Sequence, residues 1–557
     1  MKKYSLLLFF LISINILPQA EMISLDNTVY EFLKEMKVKG IIPSIHDDNP
    51  NLTKGEVLEY LSIIEKNTDK LTPVEMGLLK RYKFQISDQL GDEAATYLFR
   101  FSEYPKPLGD ILTTKNKYLY AYEKGPNNAY VEGVGKAWYG HRFSPGVNNA
   151  LVYDVGFKIH GTLMENFGYM LMVRKGLVSG NRDFATVVEP LLNGNFKFIE
   201  NLENEASGNF DFTDGYLRYN MNPMDDLKLN FQIGREKIRF GYGYSNSLIM
   251  SGEHPNTDFI KFEAEYGSVR FVSVLSSAVG RFSIDRLKNY TKMIAMNKLQ
   301  LSFDEMFDIS IGESVIYSDR GIDITYLNPL LFYKFAEMSL QDRDNGMIWF
   351  DFQSDFFKNL EIQATFLLDE NILTNMKELD RFTNKTAYQL GAYWYDAFTL
   401  PNTSLMFEYT KIRPYVYTHY NHKNTHTTWD FPLGHPAGPN SDEIMVKAAH
   451  NLTDRVRLFG EYRFTRRGEN YTDAAGNVTK NVGGDIFLVH KDGFDSEIAP
   501  FLDGIRYNTN YASVGIRTEP FNDLIFELAY NYKSDENLTN GGKTDLSWLM
   551  FRFTMEY

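Results

Sequence analysis

Three segments of this chain combine aromatic side chains with arginine, asparagine and histidine, a mixture suited to binding sugars. The faces of aromatic rings pack on the apolar side of a sugar ring, amides bond its hydroxyl groups, and guanidinium groups bind carboxylates of acidic sugars. We therefore predict a polysaccharide-binding site formed by Arg235, Arg239, Tyr242, Tyr244, Asn246, Tyr326, Asn328, Arg413, Tyr415, Tyr417, His419 and His435. For any single tyrosine, the alternative is anchoring at a membrane interface or packing within a loop.

Arg235, Lys237 and Arg239 alternate in the sequence, so we expect them on one side of a strand. They follow Ile233 at alternate positions, on the side of the strand that is expected to face lipid. Because charged side chains are unfavourable in lipid, we expect them to lie beyond the hydrocarbon layer or after a bulge. The alternative to sugar binding is a charged rim that faces solvent or lipopolysaccharide.

The sequence predicts no catalytic residue, no metal site and no cofactor. The segment Gly243-Tyr244-Ser245-Asn246-Ser247 lacks the final glycine of a hydrolase nucleophile turn. Four histidines that lie close in sequence could bind a metal, but no carboxylate spacing near them matches a known catalytic set. They are His419, His422, His426 and His435. Cysteine is absent, which removes disulfides and thiolate sites.

The composition bounds the class of protein. The formal net charge of −14 argues against nucleic acid as a partner. Aromatic residues make up 15% of the chain, which suits the aromatic girdles of a membrane barrel or a sugar-binding surface. Beyond the N-terminus no stretch approaches 18 uninterrupted apolar residues, so we expect no transmembrane helix in the mature chain.

Residues 1–20 have the pattern of a signal peptide. Lys2 and Lys3 are followed by an apolar run from Leu6 to Leu17, and Ala20 precedes the expected cleavage point. This run is shorter than the ~20 residues that a membrane-spanning helix needs. The alternative is a single N-terminal anchor helix.

Residues 21–105 are predicted to form a small helical module. Three helix starts have a threonine followed three residues later by a glutamate, the capping-box pattern, and Gly40 is a natural stop. The starts are Thr28 with Glu31, Thr53 with Glu56, and Thr72-Pro73 with Glu75. The segment Lys39-Gly40-Ile41-Ile42, followed by 52–56, resembles an S-layer-homology module, which would imply contact with cell-wall polymer. The alternative is a helical bundle that packs under a barrel.

From about residue 110 the apolar pattern changes to a period of two. Leu151, Tyr153 and Val155 alternate with Asp154 and Gly156, as in a sheet with one apolar and one polar face. A soluble protein of packed sheets is the alternative, but it would need apolar loops and cores on both faces. Here the polar residues alternate through nearly every strand, and the loops are long and hydrophilic.

Eight pairs of such runs, each joined by a short turn, follow one another along the chain. They are 150–159 with 169–173, 217–221 with 227–233, 260–266 with a weaker run ending at 275, 299–303 with 307–311, 348–352 with 360–368, 388–394 with 405–409, 444–448 with 456–464, and 512–516 with 524–532. A first strand at 130–138 and a last one at 549–557 raise the count to 18, an even number as in closed bacterial barrels. We predict an all-β transmembrane barrel of about 18 antiparallel strands over residues 106–557.

The lengths of the connections predict the orientation. Short turns of such barrels face the periplasm and long loops face outward. The expected long loops are 175–215, 234–258, 276–297, 312–346, 369–385, 413–443, 465–510 and 533–546. The helical module is therefore expected in the periplasm, and the barrel in the outer membrane of a Gram-negative-type bacterium.

Within these loops the sequence resembles the Wzi family of capsule-assembly proteins. The matching stretches are 234–248, Tyr326-Leu327-Asn328-Pro329-Leu330, Phe366-Leu367-Leu368-Asp369-Glu370, 413–419 and Gly434-His435-Pro436. The resemblance covers about residues 110–470. It implies an 18-stranded outer-membrane barrel with a periplasmic helical bundle that acts as a surface lectin and holds or organises capsular polysaccharide.

The partners expected from this resemblance are capsular or extracellular polysaccharide, outer-membrane lipids and lipopolysaccharide, and the capsule export machinery. Two other functions remain open at this stage. One is an outer-membrane pore or uptake channel for small solutes or oligosaccharides, and the other is an outer-membrane hydrolase.

Overall fold

The computed structural model describes residues 19–91, 93–97, 111–194, 208–303, 306–341, 343–369 and 378–556. Residues 1–18 of the expected signal peptide lie outside this part of the chain. So do the expected boundary at 105/106 between the module and the barrel, Glu370, and the C-terminal aromatic Tyr557.

The alternating segments form one closed antiparallel sheet. Among the described residues, eighteen strands pair in chain order, and the last pairs with the first from Ser547↔Ser144 to Glu556↔Val134. Closure leaves no unpaired backbone edge in lipid. The fold class and the strand number are therefore confirmed. The barrel strands are β4 (Asn127–Ser144), β5 (Asn148–Leu163), β6 (Phe167–Gly180), β7 (Asn209–Met224), β8 (Leu227–Glu236), β9 (Thr257–Tyr266), β10 (Val269–Val279), β11 (Thr291–Phe303), β12 (Phe307–Ser318), β13 (Asn345–Phe357), β14 (Leu360–Asp369), β15 (Thr386–Tyr395), β16 (Thr403–Ile412), β19 (Ser441–Thr453), β20 (Val456–Glu469), β23 (Ile505–Phe521), β24 (Leu524–Asn537) and β25 (Lys543–Glu556).

All eight predicted hairpins are present, including the weak one. β9 and β10 pair from Tyr266↔Val269 to Asp258↔Ser277. The alternation of β10 fails because its inward side chains are apolar as well: Val272 and Val274 are buried in an apolar cluster inside the barrel. A strand with apolar residues on both faces loses the period of two.

The long loops lie at one end of the barrel, but most are shorter than expected because the strands continue further into them. The connection expected at 276–297, for example, is reduced to residues 280–290 between β10 and β11. A ninth connection on this side, residues 145–147 between β4 and β5, is a tight turn that the sequence did not indicate.

Three α-helices form the core of the N-terminal module. They are α1 (Val29–Val38), α2 (Lys54–Glu65) and α3 (Pro73–Ile86). Thr53 and Thr72 form complete capping boxes, as predicted. The box predicted at Thr28 is wrong, because Thr28 has helical dihedral angles and its side chain caps nothing. Gly40 ends α1 with φ +75°, as predicted.

Smaller elements complete the described chain. The additional strands are β1 (Ala95–Tyr97), β2 (Asn116–Tyr118), β3 (Tyr120–Lys124), β17 (Thr427–Thr428), β18 (Phe431–Pro432), β21 (Tyr471–Thr472) and β22 (Val478–Lys480). The additional α-helices are α4 (Arg182–Val188) and α5 (Tyr333–Ser339), with 3₁₀ turns at Thr68–Lys70, Arg286–Lys288, Ile324–Leu327, Ala397–Thr399 and His422–Asn424. None of the helices in the described residues is long and apolar enough to cross a membrane.

The module does not only pack under the barrel; it enters the lumen from the end with the short turns. Lys37 Nζ lies 2.7 Å from Glu361 Oε2 on β14. Asp48 Oδ2 lies 2.7 Å from Lys298 Nζ on β11, and Asp48 Oδ1 lies 3.3 Å from Arg270. All these charges are buried, so each depends on its partner for stability.

Apolar contacts add to these ion pairs. Ile41 and Ile42 are buried in the module core, and Tyr393 and Tyr395 of β15 belong to the same cluster. The Tyr395 hydroxyl also donates to Glu75 at 2.8 Å. The structure thus places residues 39–42 inside a helical bundle that is fixed to the barrel wall.

Acid is expected to loosen the module. Burial raises the pKa of Glu31 at the start of α1, but the guanidinium groups of Arg517 and Arg457 outweigh it and lower that pKa from 4.5 to about 2. Glu31 therefore favours docking fully above pH 4.5, and this contribution disappears as the pH falls to about 2. A spin label on a cysteine at the exposed Glu59 position of α2 should become more mobile over this interval.

The variant Glu31→Gln provides the control for this acid effect. It lacks the titrating carboxylate, so its label should be more mobile at neutral pH and should change less with acid. Equal acid sensitivity of the two proteins would contradict the assignment to Glu31.

Candidate functional site

Residues 237–256, the connection after β8, fold into the lumen instead of projecting outward; we call this segment the inner loop. Phe240 and Met250 form an antiparallel bridge with backbone hydrogen bonds of 2.9 and 3.1 Å. Phe240 also packs edge-on against Trp349 of β13, with the ring centroids 6.0 Å apart. The apolar residues of the inner loop thus pack against apolar wall residues in the upper lumen. Removal of their surface from water stabilises this inward position.

Two predicted site residues of the inner loop point toward the module. The Tyr242 ring centroid lies 4.8 Å from Lys298 Nζ. The Tyr244 hydroxyl donates to Glu361 at 2.8 Å. Lys298 and Glu361 are also the wall residues that bind Asp48 and Lys37 of the module. The inner loop and the module therefore meet in the lumen from opposite ends.

The three alternating basic residues do not share one side of a strand, because β8 ends at Glu236. Arg235 is the only one of them in the strand, exposed on the outer wall and paired with Asp258 at 2.7 Å. Lys237 lies on the inner loop, 3.4 Å from Asp26 of the module. Arg239 is half-buried and donates to the Gly243 carbonyl.

Asn246 is the last of the predicted site residues on the inner loop. Its side chain is buried, and its backbone carbonyl accepts from Gln389 Nε2 at 2.8 Å. These contacts hold the loop against β15.

The loop after β16, residues 413–440, carries five predicted site residues and is also folded inward. Tyr415 and Tyr417 have no exposed surface, and both have left-handed backbones, with φ of 65° and 71°. Bulky residues rarely adopt this conformation, so tertiary contacts must hold it. The Tyr417 hydroxyl donates to the Leu248 carbonyl at 2.7 Å, and Arg413 Nε donates to the Asn384 carbonyl at 3.2 Å.

The predicted histidines support this loop. His435 is buried, with Nδ1 accepting from the Ala437 N–H at 3.3 Å, and His419 accepts from the Asn421 N–H at 3.2 Å. His426 stacks on Tyr417, and burial lowers the pKa of its imidazole to about 3. It is therefore neutral at physiological pH.

Tyr326 and Asn328 lie apart from the other predicted residues. They belong to the connection after β12, which packs on the outside of the barrel; we call residues 319–341 the wall-packed loop. Tyr326 is buried beside Val315 and Tyr317 of β12, whereas Asn328 is exposed. The structure does not bring this pair together with the residues in the lumen.

Only Arg235 and Asn328 among the twelve predicted residues are exposed, and Arg239 and Tyr244 are half-buried. A side chain without exposed surface offers no face to a sugar in this conformation. The buried members position the loops instead, and sugar binding by the predicted set stays a prediction.

A group of half-buried aromatic rings beside an exposed arginine does lie at the outer mouth of the barrel. It consists of Arg281, Phe282, Trp429, Asp430 and Phe487, from three different loops, and we call it the mouth cluster. Phe282 and Trp429 are nearly parallel, 5.9 Å apart with an interplanar angle of 18°. The Arg281 guanidinium lies 4.5 Å from the Phe487 ring centroid, and its Nε lies 3.4 Å from Asp430 Oδ1.

Polar groups continue this surface on the other side of the β10–β11 loop. Lys423 Nζ lies 5.4 Å from the Tyr290 ring and pairs with Asp319 at 2.5 Å. Gly280 allows the Tyr290 ring to pack directly against the backbone at the start of this loop. A Cβ at position 280 would stand 2.4 Å from the ring and would push it away. Aromatic faces and charged hydrogen-bonding groups thus occur side by side, as recognition of a charged sugar requires.

Of the mouth cluster, only Trp429 stands in a stretch whose aromatic content marks it as a candidate in the sequence. Arg281 and Phe282 stand in a loop without repeated aromatic residues, and the clustering depends on how three loops meet. The adjacent Gly-Arg-Phe at 280–282 was the available signal.

One group in the described part of the chain places histidine and carboxylates close enough to share a metal ion. The ligand atoms of His490, Asp492 and Glu497 lie within 4.8 Å of one another. Glu497 also pairs with Arg381 at 3.3 Å. None of the four histidines considered from the sequence belongs to this group.

The chain matches one family model and several solved structures of known proteins. A family model described as capsule assembly protein Wzi matches residues 113–543. The solved structure of Wzi, an outer membrane protein involved in group 1 capsule assembly in Escherichia coli and described as a carbohydrate-binding β-barrel, has a TM-score of 0.57 at 11% identity, over 97% of this chain and 100% of that chain. The Pseudomonas aeruginosa proteins OccK5 and OprD have TM-scores of 0.42 and 0.41 at 8% and 9% identity, each over 77% of this chain and over 98% and 95% of their own. No curated protein matches the sequence.

A closed eighteen-stranded barrel whose lipid-facing wall surrounds a charged lumen defines an outer-membrane β-barrel protein. The family match covers most of its length. The chain belongs to the Wzi family of capsule assembly proteins, as the loop motifs predicted.

Proposed function

We propose that this protein binds capsular or extracellular polysaccharide at the cell surface and that the mouth cluster is the binding surface. The observation that carries the proposal is the position of Trp429 and Phe282 beside Arg281, at the outer end of the barrel. The aromatic faces suit the apolar side of a sugar ring, and the guanidinium suits the carboxylate of an acidic sugar. The carbohydrate binding described for the Escherichia coli relative supports this assignment.

The contents of the lumen favour binding over transport. The module and the inner loop meet at Glu361, which accepts from Lys37 at 2.7 Å and from Tyr244 at 2.8 Å. An uptake channel would need a continuous aqueous path through this level. The predicted contact with the export machinery stays a prediction, and the periplasmic side of the module is where we place it.

Truncation of the Trp429 side chain tests the proposal. Trp429→Ala should weaken binding of an acidic capsular polysaccharide by about 2 kcal/mol, roughly 30-fold in Kd, as for a central aromatic anchor. Arg281→Gln should weaken binding less and should reduce its dependence on salt concentration. Both effects are measured by titrating polysaccharide into the purified barrel in detergent.

Leu287→Ala is the matched control. Leu287 lies on the same loop as Arg281 and is 96% exposed, but it is outside the mouth cluster. Its affinity should equal that of the unchanged protein. Unchanged affinity in Trp429→Ala and Arg281→Gln as well would reject the mouth cluster as the binding surface.

A further inference from the structure

Three outward-facing residues on adjacent strands are polar at a level where the wall is expected to be apolar. In the register of the sheet, Ser273 pairs with Asn297 and Asn297 pairs with Glu313. We call these three residues the polar row. The outward rows between it and the short turns are Phe271, Leu299 and Ile311, then Val269, Leu301 and Ile309, then Phe303 and Phe307.

The polar row lies within the hydrocarbon layer. Successive outward residues are about 6.8 Å apart along a strand, and a tilt of about 40° reduces this to a rise of about 5 Å per row. Three rows thus raise the polar row about 15 Å above the turns, inside an apolar band about 25 Å tall. Its neighbours in register are apolar on both sides, Phe262 on β9 and Ile348 on β13. A bare wall would therefore expose Glu313 to lipid.

The wall-packed loop covers the polar row. Glu313 accepts from the Lys334 N–H at 3.2 Å, and Asn297 Nδ2 donates to the Pro329 carbonyl at 3.3 Å. Both side chains are buried as a result. The backbone of the loop thus supplies the hydrogen-bond partners that lipid could not.

Specific contacts hold the loop down. Tyr326 and Tyr333 are buried against Leu275, Ala295 and Val315, which form the outward row above the polar row. The hydroxyl of Tyr333 donates to the Tyr326 carbonyl at 2.8 Å.

Helix α5 lies directly on the wall. Gly346 faces outward beneath it, and a Cβ there would stand 2.7 Å from Glu337 Oε2 and 2.9 Å from Lys334 Cδ. A larger residue at 346 would push the helix off the barrel.

The opposite face of the loop is apolar and uncovered. Leu330 is 89% exposed and Phe335 is 69% exposed. The other exposed apolar residues between 327 and 338 are Leu327, Leu331, Phe332 and Met338. A surface of this kind in water would be strongly unfavourable.

We propose that the wall-packed loop is embedded among the acyl chains of the outer leaflet, as part of the lipid-facing surface of the barrel. The Lys334 N–H and the Pro329 carbonyl face the polar row, and the exposed side chains between 327 and 338, all apolar except Asn328, continue the wall of apolar residues around it. This continuity, together with the height of the polar row, favours lipid over a second copy of the chain or another protein. The loop would anchor the extracellular end of the barrel next to the mouth cluster.

Because the chain contains no cysteine, single engineered cysteines can test the proposal. A fluorophore is attached to Phe335→Cys or, independently, to Leu330→Cys, in the full-length protein reconstituted into phospholipid vesicles. Quenching is measured with spin-labelled phospholipids and with aqueous iodide. Phe350→Cys, on the outward face of β13, is the lipid control, and Leu287→Cys is the aqueous control.

We expect the Phe335 and Leu330 probes to behave as the Phe350 probe does, with strong quenching by spin-labelled lipid and little by iodide. Quenching by iodide at the level of Leu287 would overturn the proposal. Protection from both quenchers would also overturn it, and disulfide-linked dimers of the unlabelled cysteine variants, formed with an added oxidant, would then identify a second copy as the cover. No sugar takes part in this test, so its result is independent of the proposed function.

Discussion

Glu361→Gln should weaken the docking of the helical module in the lumen. The Glu361 carboxylate is fully buried and pairs with Lys34 and with Lys37, whose side chain is only 2% exposed. Removing one partner of a buried pair costs about 3–5 kcal/mol, since the remaining charge is left without compensation. Asp47 and Asp355 still face these lysines, so we expect the lower end of that range.

The measurement is tryptic cleavage within α2 and α3, which requires undocking. A cost of about 3 kcal/mol should raise the cleavage rate on the order of 100-fold when docking equilibrates rapidly. Glu65→Gln, which removes a largely exposed pair with Lys83, should change the rate little. The double variant Glu361→Gln with Lys37→Met should recover part of the loss, because the uncompensated ammonium is gone. A rate in Glu361→Gln equal to that of the unchanged protein would disprove the role of this carboxylate.

Tyr417→Ala should destabilise the loops inside the barrel and open transient conducting paths. The ring is fully buried, stacks on His426 with centroids 5.0 Å apart, and bonds the inner loop through the Leu248 carbonyl. Truncation of a buried aromatic residue costs about 3–5 kcal/mol. Single-channel recording in planar bilayers should show frequent openings where the unchanged protein is closed.

Tyr417→Phe separates the ring from its hydroxyl. It keeps the packing and loses one hydrogen bond, which leaves the Leu248 carbonyl unpaired at a cost of about 1–3 kcal/mol. Openings should therefore be rarer than in Tyr417→Ala. Polysaccharide affinity should fall in Tyr417→Ala through misplacement of the loop that carries Trp429, without direct contact of Tyr417 with sugar. A closed Tyr417→Ala barrel would contradict this account.

The fold could be predicted because its signals are local. Alternation in runs such as 151–159 identifies each strand, and short turns identify which strands pair. The capping boxes at Thr53 and Thr72 likewise depend only on the next three residues. The error at Thr28 shows the limit of such a signal, since Asn27 takes over as the acceptor for the Val29 N–H at 2.9 Å.

The site was less predictable because burial of a loop residue depends on where the loop goes. Tyr417 and Trp429 belong to one loop, and both are large aromatic residues with one polar group. Tyr417 nevertheless lies inside the barrel, whereas Trp429 lies at its mouth. No periodicity marks the inner loop, whose partners Glu361 and Lys298 are more than 40 residues away. Lys34 and Lys37 look like ordinary surface residues of a helix until the barrel supplies Glu361.

The arrangement around Glu361 connects the two sides of the outer membrane energetically. One carboxylate binds the module below and the inner loop above, and the inner loop is bonded to the Trp429 loop through Ser251 and the Leu433 carbonyl at 2.8 Å. If binding of one partner to a shared group changes the affinity of the other partner, the coupling free energy is the same in both directions. Under the proposed function, tension applied to a bound polymer outside the cell would be transmitted to a periplasmic helix through this relay of hydrogen bonds.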